Sequence, residues 1–251
     1  MPKVLSRLSC NKTDVRYAAL AGLDLRVARD LLDLGCGYGF MSEKVLGRVA
    51  PDARITGVDA CETNRPAFLG TAERSGHRGD FWSLRLTEEL PWPDKNFDLV
   101  IASYSLYFFP GLIHEIARVL RPDGLFLGVT HSESSASYAT LYEAIRWDES
   151  RSQVLALARK FSAENGTSKL QEHFRLVEVF RYDNHLHVEA GHLADLLRYV
   201  RFKLPLFLGD SSHPQEVPAS WRENLTEMLK RKRSFTMDKT DAIFRCRLPR
   251  G

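Results

Sequence analysis

A glycine-rich turn carries the clearest chemistry in the sequence, Asp33-Leu34-Gly35-Cys36-Gly37-Tyr38-Gly39, directly after the apolar pair Leu31-Leu32. A buried strand, a glycine turn and a helix, in that order, open the nucleotide crevice of a doubly wound sheet. Glycines let the backbone turn sharply and let a ligand approach the main chain where a Cβ would clash. The carboxylate of Asp33 would repel a pyrophosphate but suits an ammonium group. The turn therefore predicts a nucleotide-like ligand that carries an amino group.

The spacing of the glycines separates two cofactor classes. In the dinucleotide fingerprint G-x-G-x-x-G, the two possible registers place Phe40 or Ser42 where the third glycine should be, whereas G-x-G-x-G is complete. Asp59 follows the last glycine by 20 residues and ends a second apolar strand, where it can accept hydrogen bonds from ribose hydroxyls. The pattern favours S-adenosylmethionine over NAD. The alternative is a glycine turn that only packs a helix against a strand.

Composition places the chain among globular proteins that can bury a sizeable core. Its 251 residues are 44% hydrophobic and 27% charged, with a net charge of +3 that gives little reason to expect a polyanionic partner. No apolar run reaches the ~18 residues of a membrane span, and residues 1–11 lack the apolar core of a secretion signal. No C-x-x-C pair occurs, so we expect neither a zinc or other metal site nor a disulfide framework, and a cytoplasmic location. The four cysteines are Cys10, Cys36, Cys61 and Cys246.

Apolar and amphipathic segments alternate along the chain, as strands and helices do in an α/β fold. Predicted strands cover residues 30–34, 55–58, 81–86, 97–102, 125–130, 175–183 and 241–248. A predicted helix is capped by Asn11 or Thr13, and others cover residues 39–48, 62–74, 111–120 and 137–165. These elements predict an α/β, doubly wound sheet.

Residues 189–234 form the one segment that a minimal doubly wound domain does not need. Leucines and a valine at helical spacing predict an amphipathic helix near its start, and residues 221–233 predict another. We interpret residues 1–188 and 235–251 as the cofactor-binding core. Residues 189–234 are then a helical cap inserted between the last two strands, over the substrate site.

The cap segment is basic. Arg198, Arg201 and Lys203 lie near two aromatic residues, which fits recognition of an acidic substrate. The alternative is a solvated basic face whose alkyl stems cover apolar surface. The run at residues 230–233 is interpreted as a cationic helix end, favourable toward the helix dipole, rather than as a nucleic-acid clamp.

Five motifs in this order resemble those of the class I S-adenosylmethionine-dependent methyltransferases, particularly the small-molecule type 11 branch. The resemblance covers about residues 28–131 and implies a seven-stranded Rossmann-like sheet whose last strand inserts antiparallel, with S-adenosylmethionine as cofactor. The motifs are Leu31 to Gly39, Gly57-Val58-Asp59-Ala60, Glu89 to Asp94, Phe97 to Ser103, and Arg118 to Gly124.

The resemblance also implies roles for individual residues. Asp33 would hold the amino group of the cofactor, and Asp59 would bind the ribose hydroxyls. The remaining implied contacts are the turn residues Gly35, Cys36, Gly37 and Gly39, the adenine neighbours Ala60 and Cys61, and the backbone of Ala102 and Ser103 over the methionine moiety.

One position departs from the family pattern. Many relatives carry an acidic residue at the end of the third strand that accepts a hydrogen bond from adenine, and here that position is Leu86. Adenine recognition then rests on Thr87 or on Glu88.

Polar and aromatic residues after the strands supply candidates for the substrate side. His131 follows the fifth strand, and an imidazole with a pKa near 6.5 is suited to general-base work, although it can also simply cap a loop. Tyr104 and Tyr107 can orient an acceptor or contact a sulfonium by cation–π attraction, with core packing as the alternative. Tyr17 is placed to fold over the cofactor.

Missing motifs narrow the reaction. Ser103-Tyr104-Ser105-Leu106 is not the Asn/Asp-Pro-Pro-aromatic tetrapeptide used on nucleobase amines, and there is no Pro-Cys pair and no acidic magnesium cluster. We therefore expect methyl transfer to a small organic metabolite, with oxygen, nitrogen and carbon acceptors all open. The alternatives are an RNA or protein methyltransferase that docks through the basic cap, and a cofactor-binding protein without catalysis.

Overall fold

The structure, a computed structural model, describes residues 2–147, 154–208 and 216–250. The chain divides into two compact units. The sheet unit comprises Val15–Thr130, Lys160–Tyr182 and Ala242–Gly251, and the helical unit comprises Met1–Asp14, His131–Arg159 and Asp183–Asp241. The segment 189–234, which the sequence marks as a cap, falls inside the helical unit together with further stretches of the chain.

In the described ranges, seven of nine strands form one mixed sheet in the order β3-β2-β1-β4-β5-β9-β6, and β9, the last strand along the chain, is antiparallel. This confirms the predicted α/β, doubly wound class. The strands are β1 (Asp30–Leu34), β2 (Arg54–Asp59), β3 (Arg78–Ser83), β4 (Phe97–Ser103), β5 (Leu120–His131), β6 (Phe174–Tyr182), β7 (His185–Glu189), β8 (Ser234–Asp238) and β9 (Asp241–Pro249).

The strand order reverses between β1 and β4, which pair in parallel at the middle of the sheet. Leu31, Leu32 and Val100 are fully buried there, since helices cover both faces of such a sheet. Ligands of doubly wound sheets bind outside the carboxyl ends of the strands at the point of reversal. The glycine turn that follows β1 lies at this point.

Short helices accompany the strands. They are α1 (Pro2–Leu8), α2 (Val15–Leu20), α3 (Ser42–Leu46), α4 (Arg65–Arg74), α5 (Ile113–Val119), α6 (Glu133–Ser137), α7 (Ala139–Ile145), α8 (Val154–Ala158), α9 (Gly166–Gln171), α10 (Leu193–Leu208) and α11 (Ala219–Lys232). None of the helices in the described ranges is both long and apolar enough to cross a membrane.

The helical unit has a core of its own. Leu196, Val200 and Leu204 of α10 pack in one apolar cluster with Trp221 and Leu225 of α11. Strands β7 and β8 pair antiparallel as a separate two-stranded sheet. The sequence does not predict this pair, because each strand is only five residues long and its partner lies about 50 residues away.

The predicted strand at residues 81–86 is wrong by three residues, since β3 spans Arg78–Ser83. The apolar residues Trp82, Leu84 and Leu86 alternate with polar ones, which favours the later register. A parallel strand extends only as far as its neighbour, and the pairing with β2 ends at Asp59 opposite Ser83. The earlier start is possible because Gly79 lets the strand approach α4, where a Cβ would lie 2.7 Å from Ala72.

Two predicted helices are shorter than expected. Residues 39–41 belong to the turn, so α3 begins only at Ser42. The predicted helix at 137–165 is broken, because Tyr138 and Arg146 adopt left-handed conformations on either side of α7. Residues 148–153 of that prediction lie outside the described residues.

Helix α2, which precedes the sheet, is fixed by a buried arginine of β9. The guanidinium of Arg245 donates to the carbonyl oxygens of Ala19 and Ala21 at 3.0 and 2.7 Å. These carbonyls at the helix end have no partner within the helix. Arg245 therefore holds the helix that carries Arg16 and Tyr17.

A substitution at Gly57 tests how closely α4 packs on β2. A Cβ at Gly57 would lie 2.4 Å from the ring of buried Phe68. Gly57→Ala should lower the free energy of unfolding by about 1–3 kcal/mol, as overpacking of a core does. Gly111→Ala, where a Cβ meets nothing within 4 Å, is the matched control and should change it little. Equal urea midpoints for the two variants would contradict this packing.

Candidate active site

Left-handed backbone conformations shape the glycine turn after β1. Gly35, Gly37 and Gly39 have φ values of +69°, +52° and +83°, a region that residues with a Cβ rarely adopt. A Cβ at Gly35 would also lie 2.4 Å from the Cβ of Ser105. The N–H of Gly35 donates to the carbonyl oxygen of Val58 at 2.8 Å. The turn is therefore fixed against β2 and leaves its backbone accessible to a ligand.

Asp33 is a buried carboxylate without a cationic partner. Its residue is 2% exposed, and the hydroxyl of Ser42 donates to Oδ2. Over the described ranges of the chain, no Lys, Arg or His side chain pairs with it. Burial, reinforced by the negative charge of Asp59, raises the pKa of Asp33 to about 7. An unpaired buried charge is costly, and no cation of the described residues offsets this one.

Asp59, at the end of β2, is held by the turn itself. Its Oδ2 accepts the N–H of Gly37 at 2.8 Å, and its Oδ1 accepts the N–H of Cys61 at 2.8 Å and the amide of Asn64 at 3.2 Å. Burial and the charges of Asp33 and Asp59 together raise the pKa of the Cys36 thiol. The surroundings of the turn are therefore electronegative.

Several aromatic side chains lie beside the turn. Phe40 contacts the rings of Tyr38 and Tyr104, with centroids 6.3 and 6.5 Å apart. The guanidinium of Arg16 lies 4.4 Å from the Phe40 centroid and bonds Glu43 at 2.8 Å. Tyr104 has a φ of +57°, a strained conformation for a residue of this size that is typical of functional sites.

Ala102 and Ser103 end β4, and Ser105 follows two residues later. Ala102 is fully buried, and the buried Oγ of Ser103 has no hydrogen-bond partner among the described residues. The hydroxyl of Ser105 donates to the carbonyl oxygen of Leu34 at 2.6 Å. Ser105 thereby ties the segment after β4 to the glycine turn.

Three other predicted site residues are exposed, and a fourth packs against a neighbouring ring. Ala60 and Thr87 are exposed. Tyr17 on α2 is 49% exposed, with the ammonium of Lys44 at 5.5 Å from its ring. Tyr107 is buried against the next ring in the sequence, at 4.7 Å, which is the packing that the sequence leaves as the alternative.

The segment expected to read adenine follows β3. Leu86 is half-buried, whereas Thr87 and Glu88 are exposed. A cavity of about 540 Å³ lies beside this segment, lined by Arg65, Phe81, Trp82, Ser83, Leu84, Glu89, Leu90 and Pro91.

His131 belongs to the helical unit, unlike the other predicted site residues. Its Nδ1 lies 2.8 Å from Oδ1 of Asp241, whose Oδ2 accepts from Nζ of Lys239 at 2.6 Å. Burial and the charge of Lys239 lower the pKa of His131 to about 4, so the imidazole is neutral at pH 7. Burial alone would raise the pKa of Asp241, but Lys239 and His131 hold it at about 2.

Sequence reasoning misses the partners of the predicted residues. Ser105 and Arg16 carry no motif that separates them from surface polar residues. Ser105 acts on a carbonyl 71 residues away, and Asp241 on a histidine 110 residues away. Only Ser42 has a sequence signal, since it opens the helix that follows the glycine turn.

Comparison with known proteins shows which proteins the residues around this site resemble. A family profile described as a methyltransferase domain matches residues 32–128. Nocamycin O-methyltransferase of Saccharothrix syringae is 38% identical over 108 residues, which are 41% of this chain and 38% of that protein. The 27-O-demethylrifamycin SV methyltransferase of Amycolatopsis mediterranei is 36% identical over 114 residues, 42% of this chain and 40% of that protein. The chain thus spans well under half the length of these relatives.

A solved structure shares the fold along the whole chain. The YcgJ protein of Bacillus subtilis superposes with a TM-score of 0.59 at 16% identity and covers 100% of both chains. This likeness concerns the fold alone. The glycine turn lies within the stretch that the profile matches. This similarity supports a class I S-adenosylmethionine-dependent methyltransferase of the type 11 branch for residues 32–128.

Proposed function

We propose that the protein transfers a methyl group from S-adenosylmethionine to a small organic metabolite. The observation that carries this proposal is the buried carboxylate of Asp33, which has no cationic partner in the described part of the chain. The cofactor supplies an ammonium group and an electrophilic methyl group on a sulfonium. Two relatives named for the methylation of nocamycin and of a demethylrifamycin support a small-molecule acceptor.

The residues around the turn fit the cofactor in charge and hydrogen bonding. Asp33 would pair with the α-ammonium group. Asp59 uses three of its roughly four lone-pair sites on this chain, which leaves Oδ2 able to accept from a ribose hydroxyl. Gly35 would let the ligand approach the backbone, and Arg16 would face the methionine carboxylate. The two carboxylates would repel a pyrophosphate.

Residues at the end of β4 would position the acceptor. Methyl transfer is an in-line displacement, in which orientation alone can supply roughly 7–11 kcal/mol of the barrier. Tyr104, held at a strained φ, and the unpartnered hydroxyl of Ser103 are the candidates here. Tyr107 is a weaker candidate because it is buried in packing. His131 stays our candidate base: it is neutral at pH 7, as a proton acceptor must be, but its low pKa makes it a weak one.

The nucleic-acid alternative gains no support from the basic run at residues 230–233. The run ends α11, where positive charge complements the helix dipole, and Lys232 bonds Glu143 at 3.2 Å. A solvated helix end accounts for its charge.

Asp33→Asn tests the proposed ammonium contact. The asparagine can still accept from Ser42 but cannot neutralise a cation, so affinity for S-adenosylmethionine should fall at least 30-fold, or by about 2 kcal/mol. Isothermal titration calorimetry measures this. Asp24→Asn removes an exposed carboxylate that pairs with Arg26 and should leave affinity unchanged. Wild-type affinity in Asp33→Asn would refute the contact.

The same variant should be more stable than the wild-type protein without ligand. A carboxyl whose folded pKa is raised from 3.8 to about 7 costs stability as pH rises through that interval. Between pH 5 and pH 8, the wild-type protein should lose about 3 kcal/mol relative to Asp33→Asn. Urea unfolding at both pH values measures the difference, and parallel losses in the two proteins would show that Asp33 is not the titrating group.

Cofactor affinity should depend on pH through Asp33. The ammonium must meet a deprotonated carboxylate, and the cofactor's own α-amino group stays protonated below about pH 7.7. Affinity should therefore fall about tenfold from pH 7 to pH 5.5, with uptake of the cofactor releasing a proton. Calorimetry in two buffers of different ionisation enthalpy counts that proton. Asp33→Asn should release none.

Methyl transfer itself is tested with cofactor labelled in the methyl group. We expect label in a small molecule when the protein is incubated with a panel of organic acids, phenols and amines. Total RNA and total protein serve as the competing acceptors. Label in RNA, lost steeply with salt, would support the polymer alternative. Tight cofactor binding without transfer to any acceptor would support a binding protein without catalysis.

A further inference from the structure

A second cluster of buried charges lies in the helical unit. His131, Lys239 and Asp241 are 6%, 7% and 1% exposed and form one connected group, with Nζ of Lys239 at 2.9 and 2.6 Å from the two Asp241 oxygens. The group sits where β5 ends and β9 begins. Within this group, the ammonium of Lys239 is matched by the carboxylate of Asp241, and the imidazole of His131 is neutral.

Lys203 of α10 adds a further ammonium to this cluster. It is 8% exposed, and its charge acts on both His131 and Lys239. Its contacts in the described ranges are the rings of Tyr138 and Phe202, at 5.8 and 5.7 Å, and no carboxylate or carbonyl oxygen there accepts from it. A buried ammonium is normally paired. Among the residues that the structure describes, Lys203 is therefore a buried positive charge without a paired anion.

The neighbouring groups do not supply that anion. Asp195 is buried on the same helix but already pairs with Arg7 and Arg198 at 3.2 and 3.4 Å. Asp238 is exposed and accepts from Ser134 and from Thr240. Counted over the described residues, the buried part of the cluster thus keeps one excess positive charge.

Two tyrosines complete the surroundings of Lys203. Tyr138 and Tyr199 are 8% and 2% exposed, and their hydroxyls are hydrogen-bonded to each other. Tyr138 has a φ of +52° at the break between α6 and α7. Such strained conformations persist where the surrounding structure fixes a side chain for a purpose. Here the conformation places the ring beneath the ammonium.

We propose that Lys203, with Tyr138 and Tyr199, binds the carboxylate of a small organic acid, the methyl acceptor of this protein. A single carboxylate matches the one uncompensated ammonium, and phenolic hydroxyls can donate to its oxygens. The identity of this acid as the acceptor rests on the proposed function, whereas the anion site stands on the cluster alone. The outward-facing Arg198 and Arg201 have no part in the site.

The test measures the binding of small acids to the full chain by calorimetry. The probes are benzoate and the straight-chain carboxylates from acetate to octanoate, each compared with its amide, and inorganic phosphate forms a separate arm. We expect at least one acid to bind at least tenfold more tightly than its amide. Lys203→Met should weaken that binding at least tenfold, Lys203→Arg should retain most of it, and Arg201→Met, an exposed cation two residues away, should stay within twofold of wild type.

Stability gives an independent readout of the same site. Without ligand, Lys203→Met should shift the unfolding midpoint upward, because it removes a buried unpaired charge, whereas a purely structural lysine would shift it downward. Equal binding of acids and amides, or unchanged acid binding in Lys203→Met, would overturn the proposal, and tighter binding of phosphate than of any carboxylate would overturn the ligand class. Cofactor binding measured in the same samples separates the two proposals. If the protein binds the cofactor but none of the acids, this anion site alone is rejected. If it binds an acid but not the cofactor, the proposed function alone is rejected.

Discussion

The proposed cofactor site depends on one unbalanced charge, the carboxylate of Asp33, which is buried near the end of β1 and, among the described residues, is stabilised by the hydroxyl of Ser42. The surrounding fold fixes this carboxylate from both sides. Strand β1 is paired on both edges, and Ser42 is fully buried at the start of the helix after the glycine turn. The carboxylate can neither move to solvent nor find a cation on the described chain, so the protein stores in it part of the free energy that ligand binding can recover.

The glycine turn makes this charge usable. Left-handed φ values at three glycines keep side chains out of the crevice, and Asp59 fixes the turn by accepting the N–H of Gly37. Ser105 closes the other side over Gly35. The turn is therefore shaped before any ligand arrives, which reduces the entropy that binding must pay. Pre-organisation of the backbone and the unpaired charge act together.

The sequence predicts the parts of this protein that rest on local pattern. The glycine turn, the acidic residue after β2 and the buried run of β4 have short-range signals, so the sheet and the cofactor side follow from them. Strand β3 is misplaced because its limits depend on its partner Asp59, not on its own alternation. The setting of His131 could not be predicted for a similar reason. Asp241 lies 110 residues away, and the burial of Lys203 depends on how α10 packs in its own unit.

Unpaired buried charge also offers a route to selectivity. In our proposals, the unpaired charges of Asp33 in the sheet unit and of Lys203 in the helical unit each lower the stability of the free protein, and a ligand of opposite charge relieves each. A neutral analogue of the right shape fills the space but leaves the charge desolvated, and rejection by an unsatisfied buried group is far stronger than rejection by a missing methylene. Acceptors that differ by little more than an apolar group should then be poorly separated, whereas loss of the charged group should weaken binding strongly. If the proposed acid is methylated at its carboxylate, transfer from the sulfonium neutralises both charges, and such a reaction is favoured where water is excluded.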